Sequence, residues 1–246
     1  MWTLGFDTTA STVSAALLRD GELICHYSAS SATTHSTTLL PAIEGLLNAA
    51  GIKARELGLI CCSAGPGSFT GVRIGCATAK GLAAPFGTPC VGVSSLEAMA
   101  SVFGRIKCII CPALNARRGN AYTAVFLSDG RGNITRLTSD DLIKVSDIPQ
   151  LIYRCENESG IIAPKYVAGD SVKEILYAAE AADIHGLSCS PALLASPSGY
   201  GAALAGLKIF LDNSEDKALF SEEKLAPIYL RKSQAEREKD EKNNNL

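Results

Sequence analysis

The chain has 246 residues, of which 47% are apolar, 20% charged and 6% aromatic. This composition is typical of a soluble globular protein and excludes a disordered or fibrous chain. Lys and Arg number 23 against 25 Asp and Glu, and the resulting net charge of −2 excludes a strong general attraction to nucleic-acid phosphates or anionic lipid.

The first hundred residues predict strands before helices. Arg19-Asp20-Gly21 lies between two apolar runs and is typical of a hairpin turn. From Ser36 onward, apolar residues recur at helical spacing, and Gly51 is typical of the residue that ends such a helix. The predicted strands are 2–7, 12–18, 22–28, 57–64 and 90–93, and the predicted helices are 36–50, a segment ending near 84, and 95–103. The predicted order is β-β-β-α-β-α-β-α.

The pattern weakens after Gly104, where the apolar periodicity is interrupted. Strands are predicted at 106–111, 122–127 and 134–137, and helices near 147–154, 171–182 and 201–211. This layout predicts a second domain related to the first, with a boundary at residue 104. The predicted units are 1–104, 105–232, and a charged tail, 233–246, expected to be frayed or disordered.

Targeting and metal-binding signals are weak. No uninterrupted apolar run reaches the roughly 18 residues of a membrane span, and residues 1–10 lack a basic stretch, so we expect a cytoplasmic chain without a signal peptide. The nine cysteines lie mostly inside apolar runs, which is typical of reduced core thiols. Cys108 and Cys111 would point to opposite faces of a strand, so we predict no metal site there.

Two segments could bind a ligand. Asp7-Thr8-Thr9 closes the first strand, where a carboxylate and two hydroxyls could hold a metal-bound phosphate or simply stabilise a turn. The loop Gly65-Pro66-Gly67-Ser68-Phe69-Thr70-Gly71 joins a buried strand to a helix, so its backbone could approach a phosphate or form a tight structural turn. It is not a Walker loop, because no Gly-Lys-Ser/Thr follows.

The helix after this loop carries a stripe of small residues: Gly71, Gly75, Ala79 and Ala83. Another helix could approach such a stripe closely, either inside the chain or from another subunit. The sequence shows no nucleophile with an identifiable base and no paired carboxylates for acid–base catalysis. Its compact basic patch lies between Asn115 and Asn120.

Together these motifs closely resemble the TsaB family, formerly called YeaZ. The resemblance is carried first by the eleven residues from Gly65 to Gly75, followed by Ala79-Lys80-Gly81-Leu82-Ala83 and Gly92-Val93-Ser94-Ser95-Leu96-Glu97-Ala98. Asp7-Thr8-Thr9, His35-Ser36, Leu39-Leu40-Pro41, Ala116-Arg117-Arg118-Gly119 and Pro227-Ile228-Tyr229-Leu230-Arg231 also match. Asn115 and Asn120 depart from it, since the family usually has Asp and Glu there.

The resemblance implies an actin-like ATPase fold of the Hsp70, sugar kinase and actin class, with two related ribonuclease H-like α/β domains, each a mixed sheet with helices on both faces. Proteins of this family are non-catalytic partners of TsaD, which transfers a threonylcarbamoyl group to the adenosine beside the anticodon of tRNAs reading ANN codons. They form homodimers, pair with TsaD through the first domain, and are joined by the ATPase TsaE. The resemblance therefore implies tRNA as an indirect partner, no membrane, and no cofactor required by this chain, with ATP or ADP at a complex interface.

One comparison with the catalytic family bears on mechanism. The segment from Val93 to Met99 resembles Val-Asn-His-x-x-x-His, whose two histidines hold the catalytic metal. Ser95 and Met99 stand in those places here, and a hydroxyl and a thioether cannot replace two imidazoles. The resemblance thus implies no catalytic residues and no metal site in this chain.

The resemblance also assigns roles to the two motifs. We expect the relic of a nucleotide cleft at Asp7, Thr8, Thr9, Gly65, Gly67, Ser68 and Thr70. We expect the partner interface at Ser36, Leu39, Leu40, Ile43, Leu47, Gly71, Gly75, Ala79 and Ala83, so that a bulky residue at Gly75 or Ala79 would block assembly without unfolding the monomer. The alternatives are an independent ATP-dependent acyl- or phosphotransferase of the same fold, formerly called glycoprotease-like, and a self-sufficient tRNA-binding protein, which the near-neutral charge disfavours.

Overall fold

The structure, a computed structural model, describes residues 1–30 and 35–231 and contains two β-sheets. The first sheet has five strands in the order β3-β2-β1-β4-β5, with β1–β3 antiparallel and β4 and β5 parallel to β1. Its strands are β1 (Trp2–Asp7), β2 (Thr12–Arg19), β3 (Glu22–Ser30), β4 (Leu57–Ser63) and β5 (Cys90–Val93). The helices between them are α1 (His35–Ala50) and α2 (Phe69–Ala83), and α3 (Ser95–Ser101) follows β5. The predicted order of this half is confirmed.

The second sheet has seven strands and repeats the plan of the first. Its central strand β6 (Cys108–Asn115) pairs on one side with β7 (Asn120–Thr123) and β8 (Phe126–Ser128), and on the other with the parallel strand β11 (Lys165–Ala168). The outer strands are β9 (Ile134–Arg136), β10 (Asp141–Lys144) and β12 (Leu187–Cys189). The single strand predicted at 122–127 is wrong, because the chain leaves the β6 ladder between β7 and β8. Strands β10, β11 and β12 were not predicted.

Three helices follow the second sheet's strands in the chain: α4 (Ile148–Ser159), α5 (Val172–Ala181) and α6 (Gly199–Asp212). The first two pack on the second sheet with Val167 and Ile175 in their core. Helix α6 instead returns to the first sheet, where Ala203 lies so close to Gly5 that a side chain at Gly5 would collide with it. The predicted unit 105–232 therefore includes a helix that packs on the first sheet.

Each sheet is covered on both faces. Helices α1 and α2 cover one face of the first sheet, and α6 covers the other. Helix α3 lies between the sheets, contacting α6 and contributing Leu96, Met99 and Phe103 to a core that it shares with β6. This arrangement confirms the predicted class of two mixed α/β sheets.

The cysteines follow the prediction in part. Of the nine, which are all free, seven are buried, but Cys189 is exposed. Cys108 and Cys111 belong to different apolar cores, as expected for side chains on opposite faces of β6. None of the helices in 1–30 and 35–231 is long and apolar enough to cross a bilayer. The predicted tail, 233–246, and residue 232 of the second unit lie outside the described residues.

Candidate functional site

The turn after β1 is a buried polar cluster. Asp7, Thr8 and Thr9 are 0%, 1% and 2% exposed. The Asp7 Oδ1 atom accepts hydrogen bonds from the Thr9 backbone N–H at 2.7 Å and from the Thr9 hydroxyl at 2.8 Å. Of the two readings of this motif, the Asx-type turn therefore describes the contacts of Oδ1.

The second carboxylate oxygen of Asp7 has a different environment. Asp7 Oδ2 and the Ser63 hydroxyl have no hydrogen-bond partner within the described residues, although Ser63 is close enough to lower the pKa of Asp7. Burial is the larger effect and raises the pKa of this carboxyl, against smaller lowering effects that include the bonds from Thr9 and the charge of His35. His35 Nε2 lies 2.6 Å from the carbonyl oxygen of Ala10, which places His35 at the same turn.

Backbone groups of the glycine loop, residues 65–71, form hydrogen bonds with this turn. The Ser68 N–H donates to the Thr9 carbonyl at 2.7 Å, and the Thr8 hydroxyl donates to the Gly71 carbonyl at 2.6 Å. A Cβ at Gly67 would lie 2.6 Å from the Thr9 carbonyl oxygen, so only glycine permits this approach. The loop and the turn thus form one cluster at the carboxyl ends of β1 and β4.

Other parts of the predicted nucleotide cleft lie around this cluster. Ser68 and Thr70 are exposed, and the Ser68 hydroxyl caps α2 by accepting from the Gly71 N–H at 3.3 Å. Gly65 lies beneath the backbone of Ile228, which leaves no room for a side chain at that position. Gly67 and Ser68 thus contact the Asp7 turn and Gly65 contacts the carboxy-terminal segment, and a nucleotide role for the predicted cleft residues stays a prediction.

The small-residue stripe of α2 faces inward within the chain, and its assignment to a partner interface stays a prediction. Gly71, Gly75, Ala79 and Ala83 are all buried. A Cβ at Gly75 would lie 2.9 Å from the Thr8 hydroxyl, and Ala79 belongs to the core of the first sheet. The stripe lets α2 approach the β1 turn and β4 closely.

Helix α1 has one side buried against the first sheet and one side exposed. Leu39, Ile43 and Leu47 are buried in the first core, and their assignment to the interface also stays a prediction. Ser36 and Leu40 are exposed, Leu40 by 51%. The apolar residues at helical spacing cover the sheet, as in most amphipathic helices.

The outer surfaces of these two helices are exposed within residues 1–30 and 35–231. We call this surface the α1–α2 face, with Leu40, Pro41 and Glu44 on α1 and Arg73, Ala77 and Gly81 on α2, all exposed. Because α1 and α2 contact each other on one side of the first sheet, the two exposed strips are neighbours. Within the described residues this face is exposed, whereas seven of the nine residues predicted for the interface are buried.

The places of the catalytic histidines are occupied by core residues. Ser95 and Met99 are 0% exposed, and Met99 packs in the core shared by α3 and β6. The Ser95 N–H donates to the Gly65 carbonyl at 2.9 Å, which fixes α3 against the glycine loop. Within 1–30 and 35–231, no group of three or more His, Cys, Asp or Glu side chains could hold a metal ion.

The turn after β6 uses both of its asparagines as structural hydrogen-bonding groups. Asn115 Oδ1 accepts from the Arg117 N–H at 2.7 Å, and Asn120 Nδ2 donates to the Arg118 carbonyl at 3.0 Å. Both arginines have positive φ, 65° and 56°. An ionised glutamate could not make the amide donation of Asn120, so this departure from the family pattern stabilises the turn.

Sequence reasoning missed the role of the carboxy-terminal segment. The Ile228 N–H donates to the Ala64 carbonyl at 2.6 Å, and the Tyr229 ring stacks on Phe69 with centroids 4.8 Å apart. Arg73 Nε donates to the Tyr229 hydroxyl at 2.9 Å. The signal that could have revealed it is an apolar and aromatic run, Ile228-Tyr229-Leu230, isolated just before a charged tail.

Comparisons with known proteins show which families the chain is similar to. Residues 25–192 match the family model described as TsaD, tRNA N6-adenosine threonylcarbamoyltransferase. The chain is 35% identical to the tRNA threonylcarbamoyladenosine biosynthesis protein TsaB of Bacillus subtilis over 147 residues, covering 60% of this chain and 64% of that protein. It is 31% identical to TsaB of Buchnera aphidicola subsp. Schizaphis graminum, covering 59% of this chain and 70% of that protein. The match thus spans less than two thirds of the Bacillus relative's length.

A solved structure confirms the fold. YeaZ from Pseudomonas aeruginosa superimposes with a TM-score of 0.71 at 22% sequence identity, covering 93% of this chain and 99% of that chain. At this identity the similarity bears on the fold alone.

Proposed function

The chain belongs to the TsaB family, within the wider family of the transferase TsaD, and on that premise we propose that it is a non-catalytic subunit in threonylcarbamoyladenosine synthesis on tRNA. Its partner in this role is TsaD, the subunit that transfers the threonylcarbamoyl group to the adenosine beside the anticodon. TsaE joins the complex, and the chain forms a homodimer when TsaD is absent. The family relationship supports these partners and this substrate.

The observation that carries the non-catalytic role is the burial of Ser95 and Met99. Neither side chain has exposed surface, and neither is a good ligand for a hard catalytic metal. A group-transfer enzyme built on this fold needs an accessible site for its reacting atoms. We therefore assign the transfer step to TsaD and a binding role to this chain.

The α1–α2 face is the surface that we propose for TsaD. It presents exposed apolar and small side chains, Leu40, Pro41, Ala77 and Gly81, between the charges of Glu44 and Arg73. An apolar centre with a polar rim is typical of protein–protein interfaces, and small residues let two helices approach closely. The net charge of −2 favours a protein partner over direct binding of tRNA, which TsaD would hold.

The role is tested by reconstituting tRNA modification from purified components. TsaD and TsaE are assayed with and without this chain, and threonylcarbamoyladenosine is measured in the product tRNA. We expect modification to depend on the chain; equal modification in its absence would contradict the proposal. ATP hydrolysis by the isolated chain tests the alternative of an independent ATP-dependent transferase, and we expect none, since the chain requires no cofactor of its own and ATP or ADP would bind at an interface of the complex.

The surface is tested by a charge placed on the α1–α2 face. Leu40→Asp is expected to weaken co-elution with TsaD at least tenfold, because a carboxylate would be desolvated in the interface. Leu193→Asp is the matched control, since Leu193 is 97% exposed and lies in the segment before α6. Equal co-elution of the two variants would show that TsaD does not bind this face. The role in tRNA modification would still be tested separately by the reconstitution experiment.

A further inference from the structure

Arg73 is exposed near the start of α2, yet two aromatic rings hold its side chain in place. Its guanidinium carbon lies 3.9 Å from the centre of the Phe69 ring and 5.9 Å from the centre of the Tyr229 ring. Its Nε donates a hydrogen bond to the Tyr229 hydroxyl at 2.9 Å. Stacking on an aromatic face and a directed hydrogen bond together restrict the rotamers of an arginine side chain. Arg73 therefore has one orientation although it lies at the surface.

Tyr229 can orient Arg73 because the chain around Tyr229 is itself anchored to the first sheet. Leu225 is 5% exposed and packs in the first core. The Ile228 N–H donates to the carbonyl oxygen of Ala64, just after β4, at 2.6 Å. The backbone on the amino-terminal side of Tyr229 is thus bound at two points. The carboxy-terminal segment consequently fixes the position of the Tyr229 hydroxyl relative to α2.

A second arginine, Arg136, also lies over an aromatic ring, but it is paired with carboxylates. Its guanidinium carbon is 4.6 Å from the centre of the Phe126 ring. Its terminal nitrogens form ion pairs with Glu97, at 2.7 Å, and with Asp140. Arg73 has the same position over a ring, but no ion pair joins it to a carboxylate within residues 1–30 and 35–231. Its charge is therefore uncompensated in that part of the chain.

The hydrogen-bonding capacity of Arg73 is also only partly used. A guanidinium carries five N–H donors in a planar fork, and Nε supplies one of them. Within the described residues the terminal nitrogens, Nη1 and Nη2, make no hydrogen bond. A carboxylate matches this free end of the fork, because its two oxygens accept two parallel N–H bonds. Arg73 is thus an oriented cation with room for one carboxylate.

We propose that Arg73 binds a carboxylate side chain of TsaD and that Tyr229 is the positioning residue that orients it. This inference rests on the proposed function, because Arg73 lies on the α1–α2 face that we assign to TsaD. It stands beside the small exposed residues Ala77 and Gly81, so a partner that packs on them has this cation at its rim. Charged groups at a rim select among partners and steer their approach. Because Arg73 is oriented before binding, little side-chain entropy is lost when the bond forms.

The test measures the affinity of purified TsaD for the full chain by calorimetry, at low and at high NaCl concentration. Arg73→Ala is expected to bind TsaD at least tenfold more weakly at low salt. The difference from the parent should shrink at high salt, because an ion pair at the surface is screened. Arg73→Lys keeps the charge but loses the planar fork, so it should recover only part of the affinity.

A double-mutant cycle tests the positioning role of Tyr229. Tyr229→Phe keeps the ring that stacks on Phe69 but loses the hydroxyl that orients Arg73, and it should bind TsaD about threefold more weakly. In the Arg73→Ala background the same change should cause no further loss, because Tyr229 acts through Arg73. An equal loss in both backgrounds would overturn the positioning role.

Arg19→Ala is the matched control. Arg19 also lies over an aromatic ring, 5.4 Å from the centre of Trp2, but Asp20 lies 4.0 Å from its guanidinium. Trp2 begins β1, whereas the start of α2 contacts the turn at the other end of this strand. We expect Arg19→Ala to bind TsaD as the parent does at both salt concentrations.

The outcomes separate this inference from the proposed function. If the parent binds TsaD and Arg73→Ala binds it equally well, the inference is overturned and the role in tRNA modification is unaffected. If Arg73→Ala weakens binding of tRNA to the isolated chain but leaves the affinity for TsaD unchanged, Arg73 binds phosphate and the inference is also overturned. If the parent does not bind TsaD, the proposed function fails and the inference fails with it.

Discussion

The same substitution at two positions of α2 should change stability in opposite directions. Gly71→Ala places a methyl group against the carbonyl oxygen of Thr8 and endangers the bond from the Thr8 hydroxyl to the Gly71 carbonyl. Overpacking costs about 1–3 kcal/mol and a lost hydrogen bond about 1 kcal/mol, against about 1 kcal/mol gained in helix propensity. We expect a net loss of about 1–3 kcal/mol in the free energy of unfolding.

Gly81→Ala is the matched control in the same helix. Nothing lies within 4 Å of a Cβ at Gly81, so only the propensity gain remains and the free energy of unfolding should rise by about 0.5–1 kcal/mol. Urea denaturation followed by circular dichroism, at one protein concentration, measures both variants against the parent. If Gly71→Ala is as stable as Gly81→Ala, the close approach between α2 and the Asp7 turn is refuted.

Three further changes test the buried groups. Burial raises the pKa of Asp7 in the folded chain, so the unfolded chain loses this proton at a lower pH and Asp7 lowers stability as the pH rises above about 4. Asp7→Asn should therefore raise the free energy of unfolding by about 1–3 kcal/mol at pH 7 and by less at pH 3. Urea titrations at both pH values measure the difference. In the parent chain Lys165 Nζ lies 2.5 Å from the buried Glu156 carboxylate, so Lys165→Met would leave this carboxylate without a partner and should lower the free energy of unfolding by about 3 kcal/mol in the same assay. Replacing both residues by Met should recover much of this loss. Replacing Ser95 and Met99 together by His should cost about 2–4 kcal/mol without creating stoichiometric zinc binding, since both positions are fully buried; metal analysis and thermal unfolding check this.

The first half of the fold could be predicted because its elements have strong local signals. Strands β1 and β5 were placed with the observed ends, and α1 within one residue of its start. Strands β10, β11 and β12 have three or four residues and few buried side chains, so their apolar pattern is too short to register. They form because β6 and its neighbours offer free edges to pair with, which is a property of the tertiary structure.

The site could be predicted only where the chain's topology determines it. The Asp7 turn and the glycine loop follow adjacent parallel strands, so their contact is implied by the strand order. The contact between Arg73 and Tyr229 joins residues 156 positions apart, and no periodicity or spacing rule reaches that far. Residues 227–231 could therefore be noticed in the sequence as a motif, but their contact with α2 could not be predicted from it.

The small residues of α2 show why a sequence stripe cannot distinguish a helix–sheet contact from a contact between subunits. Both require the helix backbone to come close to a neighbour, and both therefore select Gly and Ala. The two kinds of contact differ in the residues beside the small ones: large apolar residues on the same side of the helix indicate the side that packs on the sheet. In α2 the inner side also carries Val72 and Cys76, so it must be the buried side, whereas Ala77 and Gly81 stand between exposed positions. The inward stripe is thus required by the close approach of α2 to the Asp7 turn and to the core of the first sheet, and the outer surface of the same helix is the side on which we propose that a partner packs.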